Sequence, residues 1–262
     1  MNKTEKLLAK LRACGSLVVA LSGGVDSALL AKAAALALGE RAVAVTAVSE
    51  LLSASEREDA ALCAGLAGIR HVLLEAHDLA QPEVVRNDKE RCYWCKKHRF
   101  RKLLDWAAAE GFRYVADGSN LDDAGDYRPG MRAVQELQVI SPLAECGFTK
   151  ADIRRQAREW ELPVWDKPSA ACLASRVAYG VPLTAERLAR IERAEALLHR
   201  YLRGQLRVRD HGTLARLELP PDGFDIFWAH REELTEQVRA LGFTYVTLDL
   251  RGYRMGSQNE VL

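Results

Sequence analysis

The sequence predicts an α/β protein: a doubly wound parallel sheet followed by a smaller C-terminal α+β domain. Three observations predict it. Short apolar runs of strand type alternate with helical patterns through the first two thirds of the chain. A glycine- and serine-rich turn, SGGVDS at 22–27, joins the first such run to the first helical pattern. Beyond a proline-marked connection the pattern changes to a strand pair, a helix and a last strand.

The elements follow in order. Residues 16–21 (SLVVAL) read as a buried strand, and a helix runs through 28–38 after the glycine turn. A second strand covers 42–48 (AVAVTAV), and a helix over 53–67 opens on a serine cap. A third strand is expected at 70–75, a helix over 96–110, a fourth strand at 114–117 (YVAD) and a fifth at 138–141 (QVIS). Turn formers dominate 162–182. A helix capped by Thr184 follows over 184–203, then strands at 205–210 and 213–219 around His211-Gly212, a helix over 232–241 and a strand at 245–249. The domains are therefore drawn as 1–165, an interdomain loop at 166–182 that carries Cys172, and a substrate-binding and oligomerisation domain at 183–262.

Composition excludes several classes. The 262 residues are 48% hydrophobic and 28% charged, which is globular rather than disordered. Lys and Arg total 37 against 36 Asp and Glu, so no overall positive field recruits nucleic acid. The longest apolar runs, such as 33–38, are too short to span a bilayer, and lysines interrupt the N-terminal stretch where a signal peptide would be apolar. A cytoplasmic protein is expected, whose six cysteines serve as thiols, metal ligands or catalytic groups rather than disulfides.

Six stretches carry chemistry. In SGGVDS two glycines allow close backbone approach to an anion, Ser22 and Ser27 add hydroxyls, and the helix N-terminus aims N–H groups at the same point. The stretch lacks the Gly-Lys-Ser/Thr ending of a Walker A loop and the GxGxxG spacing of a dinucleotide turn. Asp26 either caps the helix or faces a metal. Asp117, Gly118, Ser119 and Asn120 follow the fourth strand, at the ligand edge of a parallel sheet. Beyond them come Arg128 as a phosphate ligand and the carboxylates Asp122, Asp123 and Asp126, the first two read as a solvated acidic loop. RCYWCKK at 91–97 holds Cys92 and Cys95, which on spacing alone serve a zinc site, a redox pair, an iron–sulfur cluster or none of these. Cys172, four residues before Arg176, is either a nucleophile or a small buried residue. Arg207, Arg209 and His211 alternate on one strand face, suited to a phosphate or carboxylate, with Glu195 and Glu218 to orient them; a solvated face is the competing reading. Arg251, Arg254 and Ser257 form a further anion-binding group, and Cys14 and Cys63 read as packing residues.

SGGVDS after the first strand resembles the PP-loop of the ATP pyrophosphatases, whose Rossmann-like sheet binds ATP. With DGSNLDDAGDYRPG (117–130), KPSAACLASRVAYG (167–180), RVRDHGTLARLE (207–218), DLRGYRMGSQNE (249–260) and RCYWCKK, the chain resembles LarE-type ATP-dependent sulfur transferases from end to end. The resemblance implies a pyrophosphate site at Ser22, Gly23, Gly24, Asp26 and Ser27, with Mg²⁺ at Asp26. It implies adenylation of a carboxylate of pyridinium-3,5-biscarboxylic acid mononucleotide and its conversion to a thiocarboxylate, with Cys172 as sulfur donor or cluster ligand. The three-cysteine pattern resembles members that hold a 4Fe–4S cluster on Cys92, Cys95 and Cys172, recharged by a sulfide source; members with one donor cysteine consume it. A homo-oligomer is also implied. The rival is a tRNA 2-thiolation enzyme, which typically reads SGGKDS where this chain has Val25. A second rival is a nucleotide-binding protein whose cysteines hold structural zinc.

Overall fold

The structure, a computed structural model, describes residues 1–125, 129–168 and 171–258. The chain divides into two compact units, one of Met1–Asp78 with Cys92–Ala170, the other of Leu79–Arg91 with Ala171–Leu262.

The first unit contains α1 (Lys3–Cys14), β1 (Leu17–Ala20), α2 (Val25–Leu38), β2 (Ala42–Val48), α3 (Ala54–Ala67) and β3 (Arg70–Glu75). Its four-stranded sheet is parallel in the order β3-β2-β1-β4, with β4 at Tyr114–Ala116. The two-residue period of β1 and β2 sorts their side chains between two cores. Leu17, Val19, Ala42 and Ala44 pack with α1, α2, α3 and α8 (Lys150–Glu159) on one face. Val18, Val43 and Val45 pack with Phe100, Leu103 and Ala107 of α5 (Arg91–Ala109) and Val134 of α6 (Pro129–Glu136) on the other. Strand order reverses between β2-β1 and β1-β4, so the crevice at the carboxyl ends of β1 and β4 is where a doubly wound sheet takes its ligand.

The expected fifth strand does not form. Only Ile140 bridges to Ala116, because α7 (Pro142–Glu145) starts two residues later and its proline has no N–H to extend a ladder. Helices α1, α6 and α8 are among those that escaped the sequence pattern. Helix α1 is closed by a capping box between Asn2 and Glu5, and α8 by one between Thr149 and Asp152. Helix α5 starts at Arg91, five residues before the predicted 96, so both cysteines of RCYWCKK lie on it.

In the second unit, Thr184 caps α9 (Ala185–Leu198) by accepting from the Arg187 N–H. Strands β5 (Arg207–His211) and β6 (Leu214–Glu218) form an antiparallel hairpin that turns at Gly212, whose φ is 80°. Strand β7 (Tyr245–Leu248) pairs parallel to β6, which requires the crossover supplied by α10 (Gly223–Ala229) and α11 (Arg231–Arg239). The core joins Ala194 and Leu198 of α9, Val208, Leu217, Phe227, Leu234 and Val238. The segment 79–91, with α4 at Pro82–Val85, belongs to this unit through Asn87. Asn87 is fully buried, and its side-chain amide donates to the carbonyls of Ala178 and Val181 at 2.9 Å each. Its own carbonyl accepts from Gly180 N, and Val85 O accepts from Leu183 N.

Among the described residues, no helix is long and apolar enough to cross a membrane. Asp210 of the second unit has no exposed surface. One of its oxygens accepts from Arg187 Nη1 and Gly212 N at 2.8 Å, the other from Arg190 Nε at 2.8 Å and Nη2 at 2.7 Å. Asp210→Ala strands two guanidinium groups and should cost about 3 kcal/mol of unfolding free energy, measured by urea titration.

Candidate active site

The first unit holds a cavity of about 660 Å³ at the carboxyl ends of β1, β2 and β4. One end is apolar, lined by Ala20, Val45, Ala47, Leu52, Phe100 and Leu103, a surface suited to a flat aromatic ring. The other is polar and contains Ser22, Gly24, Asp26, Ser27 and Asp117–Asn120.

Local hydrogen bonds shape the polar end. Ser27 Oγ accepts from Ser22 N at 3.1 Å and donates to Gly24 O at 3.1 Å, which folds 22–27 into a tight loop. Gly24 is the N-cap of α2 and brings no capping side chain, so the first N–H groups of the helix remain for an anion. Asp26 therefore does not cap α2. Glycine is required twice: Gly23 has φ of 75° and a Cβ there would lie 2.9 Å from Ala60 N, while one on Gly118 would lie 2.9 Å from Ser27 N. Asp117 organises the opposite wall by accepting from Ser119 Oγ at 2.5 Å and Ser141 Oγ at 2.7 Å.

Asp122 is exposed and Asp123 half-buried, in keeping with an acidic loop at the surface, and each also holds a backbone N–H. Asp123 accepts from Asn120 N at 2.9 Å, Asp122 accepts from Lys150 N at 2.8 Å, and both line the cavity. Arg128 and Asp126 lie outside the described residues. The sequence reading also missed the four cations on the cavity wall, Lys96, Arg99, Lys150 and Lys167. Lys150 Nζ meets Asp26 Oδ2 at 2.5 Å, Lys96 lies 3.6 Å from Asp117, and Lys167 pairs with Asp59. Arg99 donates to Ser49 Oγ and to the fully buried Asp78. The available signals were the capping box around Lys150 and the position of Lys96 and Arg99 four and seven residues after Cys92, on one helix face.

Helix α5 carries Cys92, exposed, and Cys95, half-buried. Tyr93 between them is buried, donates to Glu136 Oε2 at 2.7 Å, and lies under the Arg132 guanidinium at 3.9 Å, which fixes the first turns of α5 against α6. Burial raises the thiol pKa of Cys14, Cys63 and Cys146, so these three are poor nucleophiles. Among the described residues, no group of three or more His, Cys, Asp or Glu side chains is arranged to hold a metal ion.

In the second unit Cys172 is half-buried and precedes a 3₁₀ turn, Leu173–Arg176. Arg176 addresses its carbonyl, 3.0 Å from Nη1, and binds Glu195 through Nε and Nη2 at 3.0 Å each. Glu195 also accepts from Val208 N, which ties this turn to β5. Arg209 is held by Glu218 Oε2 at 2.8 Å, Ser175 O at 2.7 Å and Ser257 Oγ at 2.8 Å. Arg207 differs: it is 7% exposed, donates to Leu206 O and lies over the Tyr253 ring at 5.0 Å. Burial and then the Arg176 charge lower its pKa. His211 ends the strand on the exposed side and accepts from Arg216 Nε at 3.3 Å; partial burial and then Arg216 lower its pKa. Arg251 lines a small cleft with Leu219, Phe224 and Tyr253.

No family model matches the chain. It is 44% identical over 263 residues to an uncharacterized protein of Synechocystis, covering all of this chain and 98% of that one. It is 36% identical over 262 residues to pyridinium-3,5-bisthiocarboxylic acid mononucleotide synthase of Lactiplantibacillus plantarum, covering all of this chain and 95% of the synthase. A tRNA-specific 2-thiouridylase of Xanthobacter autotrophicus aligns at 31% identity over 193 residues, 58% of this chain and 49% of that enzyme.

The glycine contacts give a direct test. Gly118→Ala forces a methyl into the first turn of α2 and should cost about 1–3 kcal/mol by urea titration, while Gly65→Ala, open on that side, should cost nothing. A pH test follows from His71, whose Nε2 lies 2.8 Å from Thr46 Oγ1 in the cavity wall. Burial lowers its pKa from 6.5, so the unfolded chain binds the proton first; stability is full above pH 6.5 and falls as pH drops through the lowered value. Relative to His71→Gln, the wild type should lose urea midpoint between pH 6.5 and 5.

Proposed function

The chain belongs to the LarE family of sulfur transferases, and on that premise we propose that it uses ATP to convert carboxylates of pyridinium-3,5-biscarboxylic acid mononucleotide into thiocarboxylates. The observation that carries the reading is the full-length relation to the synthase, joined to a cavity with an apolar end for adenine and a serine- and glycine-built end for phosphates.

The chemistry divides in two. A substrate carboxylate oxygen attacks the α-phosphorus of ATP; the bond to the bridging oxygen breaks, and pyrophosphate departs with the electron pair into the loop of Ser22, Gly23, Gly24 and Ser27. The helix N-terminus and the hydroxyls stabilise the departing charge there. A sulfur nucleophile then attacks the acyl carbon and expels AMP, which leaves with the carboxylate oxygen. That sulfur would be a sulfide held by the group that Cys172 helps to bind, with Arg176 and Glu195 fixing the turn of Cys172. Arg207 and Arg209, with His211 at the strand end, bind the substrate's phosphate or second carboxylate.

Asp26 would hold Mg²⁺ beside the phosphates, where the ion screens their charge. Cys92, Cys95 and Cys172 are a soft donor set suited to a 4Fe–4S cluster, and three thiolates leave one iron open, which supplies a renewable sulfide position when the cluster is bound. Subunit association is also proposed; Trp228, Tyr245 and Leu250 expose apolar surface of the kind that contacts between copies cover.

Purified anaerobically, the protein should contain iron and sulfide and release pyrophosphate from ATP when the biscarboxylate mononucleotide is added, and not when tRNA is. A colourless protein with stoichiometric zinc overturns the cluster, and turnover on tRNA overturns the substrate. Cys172→Ala should abolish thiocarboxylate while AMP formation continues. Intact mass should not change with turnover; a loss of about 34 Da, the mass of H₂S, shows instead that Cys172 is consumed.

A further inference from the structure

Lys150 is the one cavity cation that reaches into the SGGVDS loop from a distant element. It is the first residue of α8, 124 positions from Asp26, and its place is fixed at both ends. Its backbone N–H donates to Asp122 Oδ2 at 2.8 Å, inside the capping box that starts the helix, and its ammonium meets Asp26 Oδ2 at 2.5 Å. The other oxygen of Asp26 accepts from Asn120 Nδ2 at 3.3 Å. Both charged side chains are partly exposed, 30% and 23%, and both line the cavity. The pair is a wall of the site and not part of the core.

This arrangement poses an electrostatic problem. Asp26 stands in the first turn of α2, where a polyphosphate would dock on the free N–H groups. A carboxylate there repels the phosphates unless a cation lies between them. Lys150 already occupies that position, and its four-carbon stem lets the ammonium turn from Asp26 toward an incoming oxyanion without moving the backbone.

We propose that Lys150 is a catalytic residue of the adenylation step: its ammonium, which meets Asp26, moves to the pyrophosphate oxygens as the nucleotide binds. When the α-phosphorus bond to the bridging oxygen breaks, its electron pair stays on the departing pyrophosphate, and Lys150 stabilises that added charge while no proton changes hands. Asp26, held in turn by Asn120, keeps the ammonium beside the loop, and Asp122 fixes the Lys150 backbone.

The proposal rests on the reading that the cavity takes ATP, and calorimetry separates the two. Wild type, Lys150→Met and Lys167→Met are titrated with inorganic pyrophosphate and, separately, with AMP. Lys150→Met keeps the stem and should weaken pyrophosphate binding roughly 10- to 100-fold, the worth of one charge-assisted contact, while AMP affinity stays within about twofold. It should also lower kcat for substrate-dependent pyrophosphate release, and Lys150→Arg should recover part of both losses. Wild-type pyrophosphate affinity in Lys150→Met, or an equal loss for AMP and pyrophosphate, overturns the proposal. A wild type that binds neither probe overturns the ATP reading and the proposal with it. Lys167→Met, which frees Asp59 at the edge of the loop, shows whether any lysine loss has the same effect; an equal pyrophosphate loss there contradicts a special place for Lys150.

Discussion

The backbone after β4 passes the first turn of α2 at a distance that only glycine permits. A Cβ on Gly118 would lie 2.9 Å from Ser27 N and 3.2 Å from Ser27 Cα. Gly23 is pressed as closely against the start of α3. These two approaches hold the SGGVDS loop between β1, α3 and the residues that follow β4. Around that fixed loop the remaining groups fall into place: Ser27 closes on Ser22, Asn120 reaches Asp26, and the N–H groups at the start of α2 point into the cavity. The parallel sheet matters to function because it ends β1 and β4 side by side, where its order reverses.

The two units handle charge in opposite ways. In the second, Glu195, Asp210 and Glu218 are buried and enclosed by arginines, and each carboxylate organises a turn or strand. Arg207, also buried there, rests on the Tyr253 ring and the Leu206 carbonyl. In the first, lysines sit on carboxylates at the rim of the cavity, half in solvent, where such pairs are worth little and exchange readily for a better anion. Arginine networks fix the carboxylates of the second unit, whereas the lysine pairs of the first lie on the cavity wall.

Strands β1 to β4 and the SGGVDS turn were legible because periodicity and turn chemistry are local. The expected strand at 138–141 failed because Pro142 ends the ladder after one bridge, a fact visible in the sequence but outweighed by the apolar run. Helix α5 began earlier than its apolar spacing showed, since RCYWCKK is held by Tyr93, Glu136 and Arg132 rather than by a hydrophobic stripe. Lys150 and Lys96 left only a capping box and a helix-face spacing in the sequence, and Lys167 neither, because each acquires its place from a partner that is remote in the chain or across a loop. The membership of 79–91 in the second unit was hidden for the same reason: Asn87 becomes meaningful only once 177–183 folds around it.

The central claim is that ATP is cleaved at its α-phosphorus by a substrate carboxylate within the cavity of the first unit. Incubating the protein with ATP and the pyridinium biscarboxylate mononucleotide labelled with ¹⁸O in its carboxylates tests it most directly. The account predicts AMP carrying one ¹⁸O for each thiocarboxylate formed and unlabelled pyrophosphate. Unlabelled AMP, or label in inorganic phosphate, would contradict it.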